Sequence, residues 1–344
     1  MDCCNPLLTE RLMTRPTQIR LAQRPVGAAD ASTWTTTHDA GRDPEAGEIR
    51  LKVTHISLDP AMRGWINAGR SYIPPVGIDE VMRAIGVGEV TATASDRFKV
   101  GEMVMGLTGV QTDATLAAKD FNKIEPSLAS PSTFLGGLGM PGMTAYFGLL
   151  DVGKPEAGQT VVVSAAAGAV GAVVGQIAKI KGCRVVGLAG GPDKCRYVVE
   201  ELGFDACIDY RGGSLQEQLK AACPDRIDIY FDNVGGEILD VCLGLLAQKA
   251  RVVICGAISQ YNATEGVTGP ANYLSLLVNR ARMEGFVVFD YQKQFLGAVM
   301  EMAGWMMSGQ LKFKEHVVDG IESFPQAFDM LFAGTNFGKL VIKI

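Results

Sequence analysis

The run Ala166-Ala167-Gly168-Ala169-Val170-Gly171 has the residue types and spacing of a phosphate-binding turn. It follows a Val-rich, strand-like segment, TVVVSA at 160–165, and opens a segment with helical spacing at 169–182. Gly168 lets backbone approach a pyrophosphate, and Gly171 lets helix and strand pack closely. A helix beginning here offers free N–H groups and a positive dipole end to phosphate oxygens. The arrangement is a GxGxxG relative with Ala in the first position, and it points to a bound dinucleotide. The competing reading is a Gly/Ala-rich helix that only packs tightly against a sheet.

Sites tuned to a free ribose 2′-hydroxyl place Asp or Glu at the end of the second strand, about 20 residues past the glycines. Here that strand ends Leu188-Ala189-Gly190-Gly191, without a carboxylate. A 2′-phosphate is therefore admitted, and Lys194 at the start of the next helix can pair with it. Spacing alone leaves Lys194 equally readable as a solvated surface lysine. Asp193 beside it suits a first helical turn, where an acid complements the dipole. Zinc chemistry finds little support. The three histidines, His38, His55 and His316, are scattered, and the eight cysteines form no CxxC pair. No GxSxG elbow marks a Ser-His-Asp hydrolase.

The elements that must position these residues fall into two patterns. Residues 17–135 read as β-rich. EIRLKVTHISL (48–58) and EVTAT (89–93) alternate like half-buried strands, and VGEMVMGLTG (100–109) reads as a strand pair. Near residue 136 the pattern changes. GGLGMPGMTAYFGLLDVG (136–153) is Gly-rich, then helical. Strands are then expected at 160–165, 184–190, 207–210, 227–235, 250–257 and 281–290, with helices at 169–182, 194–203 and 214–223. Such alternation implies a parallel, doubly wound sheet with right-handed crossovers. The tail, with runs at 311–320 and 337–344 and a helix around 324–334, is expected to fold back onto the N-terminal domain.

The chain of 344 residues, 47% hydrophobic and with 41 glycines, suits a two-domain α/β enzyme. A net charge of -5 without a basic block speaks against nucleic acid as a partner. No apolar window reaches the ~18 residues of a membrane span. The N-terminus lacks the basic-then-apolar pattern of a secretory signal, and the cysteines read as buried thiols of a reducing compartment, so the cytoplasm is expected. Residues 1–12, MDCCNPLLTERL, read as a disordered extension or an early start, with Met13 the next methionine.

Longer motifs carry a resemblance. They are SLDPAMRGW (57–65), GMPGMTAYFGLLDVG (139–153), AAAGAVGAVVGQIAKIKGC (165–183), LGFDACIDY (202–210), YFDNVGGE (230–237), ICGAISQYN (254–262), FVVFDY (286–291) and NFGKLVIKI (336–344). The chain resembles the zinc-independent medium-chain dehydrogenase/reductases over residues 15–344. Within them it resembles the branch of prostaglandin reductases (leukotriene B4 12-hydroxydehydrogenases), plant alkenal double-bond reductases and bacterial curcumin-type reductases. The resemblance implies a GroES-like β-rich domain at 13–137, completed by 309–344, and a Rossmann NADPH-binding domain at 138–308. It implies a homodimer joined along Rossmann-domain edge strands. It places the pyrophosphate on Gly168, Ala169, Val170 and Gly171, and the 2′-phosphate on Lys194 and Tyr210. Asn233, Cys255, Gly256, Ala257, Ile258, Ser259 and Tyr261 would line the cofactor, with Phe286, Val287, Val288 and Asn336 on the nicotinamide side. Where several members carry Asn before the tyrosine, this chain has Asp209, which brings a negative charge near the phosphate.

The implied activity is NADPH-dependent reduction of the C=C bond of α,β-unsaturated ketones and aldehydes. Hydride on the β-carbon creates an enolate, whose oxygen needs a donor that is stronger in the transition state. Tyr261, in ISQYN, resembles the family tyrosine beside the substrate carbonyl, and a phenol can donate there. A cofactor ribose hydroxyl can share that role. The plainer reading of Tyr261 is a pocket-lining residue without catalytic effect. Trp65, Tyr72, Met143 and Tyr291 are candidate walls of the substrate pocket, each otherwise a packing residue. Two other functions fit the same residues: an NADPH:quinone reductase of the same superfamily, and a non-catalytic NADPH-binding protein.

Overall fold

Hydrophobic residues at period 2 and period 3.6 sort the chain into two large sheets with helices and a separate two-stranded antiparallel pair. The computed structural model describes residues 15–39 and 41–344. The reading of residues 1–12, the domain start at Met13, and Cys3 and Cys4 lie outside the described residues. The N-terminal strands are β1 (Gln18–Leu21), β2 (Trp34–Thr37), β3 (Glu48–Ser57), β4 (Gly86–Thr93), β5 (Met103–Gly106), β6 (Asp113–Ala117) and β7 (Phe121–Lys123). Then come β8 (Thr160–Ser164), β9 (Arg184–Ala189), β10 (Ala206–Asp209), β11 (Ile227–Asp232), β12 (Leu246–Ile254) and β13 (Arg282–Gly285), followed by β14 (Glu315–Asp319) and β15 (Lys339–Lys343). The helices that matter for the site are α1 (Ala61–Trp65), α2 (Pro131–Leu135), α3 (Met140–Phe147), α4 (Gly171–Ile180) and α5 (Pro192–Glu200).

Strands β8 to β13 form one parallel sheet in the order β10-β9-β8-β11-β12-β13. Every residue of β8 is buried, as a central parallel strand with both faces covered requires. Val161 and Val163 pack with Val173, Val174 and Ile177 of α4 on one face. Val162 faces the other way, with Val186, Tyr230, Leu239 and Leu243. This is the Rossmann-type α/β layer. The small residues of α4 allow its close approach: a Cβ on Gly175 would lie 1.8 Å from the Phe204 ring.

The second sheet is β-rich and runs β14-β15-β3-β4-β5-β7, with β6 also paired to β3. The tail does return to the N-terminal domain: β15 lies antiparallel to β3, with Val341 opposite Ser57. Its core gathers Val53, Ile56, Leu58, Met62 and Trp65 with Phe324, Phe328 and Leu340.

Two elements differ from the sequence reading. Residues 100–109 form one strand, β5, because Gly101 and Gly109 both take positive φ, +89° and +72°, and turn the chain at either end. The expected strand at 281–290 stops at Gly285, and 288–294 is helical. Phe286 instead leaves the sheet to fill the space beside Gly148, where a Cβ would meet its ring at 2.4 Å.

Candidate active site

Strand order reverses between β8 and β11, and ligands of open parallel sheets bind outside the carboxyl ends of the strands at such a point. The loops leaving β8 and β11 here wall a cavity of about 600 Å³, whose other wall comes from the β-rich domain. Gly168, Ala169, Val170 and Gly171 all line it. No side chain caps the N-terminus of α4, whose Ala172 and Val173 N–H groups donate to the Gly168 and Val170 carbonyls. The turn is tight: a Cβ on Gly171 would lie 2.3 Å from the Ala165 carbonyl oxygen. The left-handed conformation falls on Ala165, at φ 51°, outside the glycine positions. Gly338, entering β15, donates its N–H to the Ala167 carbonyl at 3.0 Å, which ties the β-rich domain to this turn.

One end of the cavity lies beyond β9, where Gly190, Lys194 and Tyr210 line it. Lys194 Nζ donates to the Gly334 carbonyl at 2.9 Å. Burial, then the charge of Arg211, pulls the Lys194 pKa below its ordinary value. Gly190 has no side chain where one would collide: a Cβ there would lie 2.7 Å from the Tyr210 hydroxyl and 3.0 Å from Arg211 Nε. The Asp209 carboxylate is tied to backbone beside this space. It accepts the Gly191 N–H at 2.9 Å and the Arg211 N–H at 3.0 Å, and those bonds hold its pKa below the usual carboxylate range. Asp193 is paired with Arg196. The negative charges beside Lys194 are therefore engaged elsewhere.

The turn after β11 is held by a buried acid that sequence reading did not single out. Asp232 is 1% exposed, and its Oδ1 accepts from the Tyr230 hydroxyl at 2.7 Å and from the N–H groups of Val234 and Gly235 at 3.0 and 2.9 Å. Burial outweighs those bonds and raises its pKa. Its carbonyl accepts from Cys255 and Gly256, so one residue sets two neighbouring loops. Asn233 lines the cavity and donates Nδ2–H to the Ser164 carbonyl at 2.7 Å. Cys255, Gly256, Ile258, Ser259 and Tyr261 line it too, whereas Ala257 sits behind. Burial pushes the Cys255 thiol up to about 12, which keeps it protonated. Tyr261 is likewise raised by burial. Its oxygen accepts the Ala257 N–H at 3.2 Å, leaving the phenolic proton available to donate.

At the other end the walls are apolar. Trp65, Tyr72, Ile85, Met140, Val288 and Phe289 face the cavity, and so do Phe286, Val287 and Asn336. Trp65 Nε1 donates to the Tyr72 hydroxyl at 3.2 Å, and Tyr72 packs 6.1 Å from Phe289. Arg63 of α1, 3% exposed, crosses from the β-rich domain to the Tyr261 loop. Its Nε donates to Asn262 Oδ1 at 3.0 Å, and its other nitrogens donate to Asn67 Oδ1 at 2.6 Å and the Gly27 carbonyl at 2.7 Å. Lys339, also 3% exposed, pairs with Asp59 at 2.7 Å on the cavity wall.

Two expected pocket walls are corrected. Met143 is 1% exposed in the hydrophobic core, because its face of α3 turns to the sheet; Met140, Pro141 and Thr144 line the cavity instead. Tyr291 stacks on Phe147 at 4.5 Å and donates to Asp151 at 2.6 Å, outside the cavity. Among the described residues, no three His, Cys, Asp or Glu side chains gather as a metal-ligand set.

Two family descriptions match the chain: N-terminal domain of oxidoreductase over residues 17–124, and zinc-binding dehydrogenase over residues 169–304. The NADPH-dependent curcumin reductase of Escherichia coli (strain K12) is 43% identical over 329 residues, spanning 94% of this chain and 95% of the relative. Prostaglandin reductase 1 of Bos taurus is 38% identical over 303 residues, spanning 86% and 89%. The crystal structure of CurA in complex with NADPH from Vibrio vulnificus matches with a TM-score of 0.90 at 45% identity, over 95% of this chain and 98% of that one. The chain belongs to the zinc-independent branch of the medium-chain dehydrogenase/reductases and is an oxidoreductase.

Proposed function

We propose that this oxidoreductase binds NADPH and reduces the C=C bond of α,β-unsaturated ketones and aldehydes. The observation that carries the reading is one continuous cleft with two chemical ends. A glycine turn and a cationic pocket lie at one end, and an apolar, aromatic wall with the Tyr261 phenol lies at the other. The residues present fit the cofactor: the glycine turn, Lys194 and Tyr210 line the cleft, and no carboxylate ends β9.

When bound, the reduced nicotinamide supplies hydride to the β-carbon of the acceptor. The chain's residues do the rest. Trp65, Tyr72 and Phe289 hold the apolar body of the substrate and exclude water. Tyr261 donates a hydrogen bond to the carbonyl oxygen as electron density moves onto it, a bond that strengthens as the enolate forms. The phenol stays protonated through the neutral range because burial disfavours its anion. The α-carbon then takes a proton from solvent, which completes a two-electron reduction of the C=C bond. In the proposed division into 13–137 with 309–344, and 138–308, the cleft lies between the two domains, with Trp65 and Tyr72 from the first and the glycine turn, Tyr261 and Phe289 from the second.

We further propose a cytoplasmic homodimer. All four residues of β13 are exposed at the edge of the parallel sheet, and Leu277, Val278 and Met283 beside it expose apolar surface. Pairing two such edges would cover that surface. Six unpaired cysteines among the described residues suit a reducing compartment.

The test of the catalytic reading is NADPH oxidation with 2-alkenals, 1-phenyl-2-alkenones, curcuminoids and quinones. Turnover with the enones is expected. Binding of NADPH without turnover of any acceptor would reduce the protein to a cofactor binder, and turnover of quinones alone would replace the proposal.

A further inference from the structure

We propose that Arg211 is a specificity-determining residue that grips the adenosine 2′-phosphate together with Lys194 and Tyr210. This rests on the NADPH reading above and extends it to a side chain that the family motifs leave out.

Arg211 follows β10, and its guanidinium packs 5.8 Å from the Tyr210 ring centroid. Two groups converge on the space beside Gly190: the Tyr210 hydroxyl lies 2.7 Å from where its Cβ would be, and the Arg211 guanidinium lies 3.0 Å away at Nε and 3.1 Å at Cζ. Lys194 and Arg211 also meet across Gly334. Lys194 donates to its carbonyl at 2.9 Å, and Arg211 Nη2 lies 3.6 Å from its Cβ position. Lys194 lines the cavity, and Arg211 stands at its rim beside Gly190 and Gly334, so the two cations meet at one edge of it.

Neither cation is hydrogen-bonded to a carboxylate among the described residues, although Asp209 lies near enough to Arg211 for the two charges to interact. Among the described residues, the guanidinium of Arg211 makes no hydrogen bond or ion pair, and Lys194 has no carboxylate partner. The carboxylates close in sequence are committed elsewhere, Asp209 to backbone N–H groups and Asp193 to Arg196. After burial, the charge of Arg211 is what holds the Lys194 pKa down, as a like charge close by does. A phosphate carrying about -1.5 to -2 charges at neutral pH would satisfy both cations. The planar guanidinium adds a bidentate fork that the lysine cannot supply, and the tyrosine adds a neutral donor. With NADH, a ribose hydroxyl leaves the two cations facing each other, so the same pair selects against the unphosphorylated cofactor.

The test uses the full-length protein and its Arg211→Gln and Arg211→Lys variants. Binding of 2′,5′-ADP and 5′-AMP is measured by calorimetry, and KM for NADPH and NADH with one enone. Arg211→Gln is expected to lose about tenfold in affinity for 2′,5′-ADP, with a parallel rise in KM for NADPH, and to change little toward 5′-AMP and NADH. Arg211→Lys should recover part of the loss, because charge returns without the fork. Equal losses for both nucleotides would mark a structural role and overturn the proposal. So would an unchanged preference for 2′,5′-ADP in Arg211→Gln. A wild-type protein that binds 5′-AMP as well as 2′,5′-ADP would instead overturn the NADPH reading beneath it.

Discussion

In the proposed mechanism Tyr261 acts through a proton that burial keeps on its oxygen, with the Ala257 N–H donating to that oxygen. Because solvent can protonate the α-carbon and a cofactor hydroxyl can share the enolate oxygen, Tyr261→Phe is expected to cost only about 1 kcal/mol, roughly fivefold in kcat/KM for an enone. Steady-state kinetics checks this, and unchanged kcat and KM would remove Tyr261 from the mechanism. Lys194 sets a second expectation. Its pKa lies below that of an ordinary lysine, so its charge is lost at lower pH as the solution turns alkaline. The kcat/KM for NADPH should therefore fall on the alkaline side before a free lysine would titrate, while that for NADH shows no such limb. Lys194 was legible in the sequence because it stands at a fixed distance from the end of a strand. Arg211, Asp232 and Arg63 were not: Arg63 meets Asn262 from far along the chain, Arg211 stands beside Gly334 of the tail, and the burial of Asp232 is set by the sheet around it. Met143 and Tyr291 were misread for a related reason: a motif tells which helix borders a pocket, but tertiary packing decides which face of it does.

Among the elements, β8, the turn and α4 were the most legible unit. Five consecutive buried residues, then small residues, then a helical period can be read without knowing the neighbours. Element ends were less so. Gly101 and Gly109 trimmed the expected pair at 100–109 to one strand, and the pull of Phe286 toward Gly148 ended β13 early. The turn makes a sharp prediction of its own. A Cβ on Gly171 would press on backbone, the Ala165 carbonyl at 2.3 Å, which cannot move aside cheaply. Gly171→Ala should lower stability by about 1–3 kcal/mol and weaken NADPH binding, measured by thermal melts with and without the cofactor. An equal melting temperature and an equal cofactor-induced shift in the variant would mean that the turn is looser than described.

At the scale of the whole molecule, the cleft is held by links that cross between the two sheets: Gly338 to Ala167, and Arg63 to Asn262. Both join segments separated by more than a hundred residues, which is why no local pattern announced them. The exposed edge strand β13 makes the quaternary expectation testable. Light scattering should give twice the monomer mass, and Met283→Glu, placing like charges across the proposed two-fold contact, should shift the protein toward monomer. The central claim concerns the bond that is reduced. Its most direct test is product analysis by mass spectrometry and NMR after incubation with NADPH and 1-phenyl-2-butenone. The saturated ketone is expected; the unsaturated alcohol would contradict double-bond reduction.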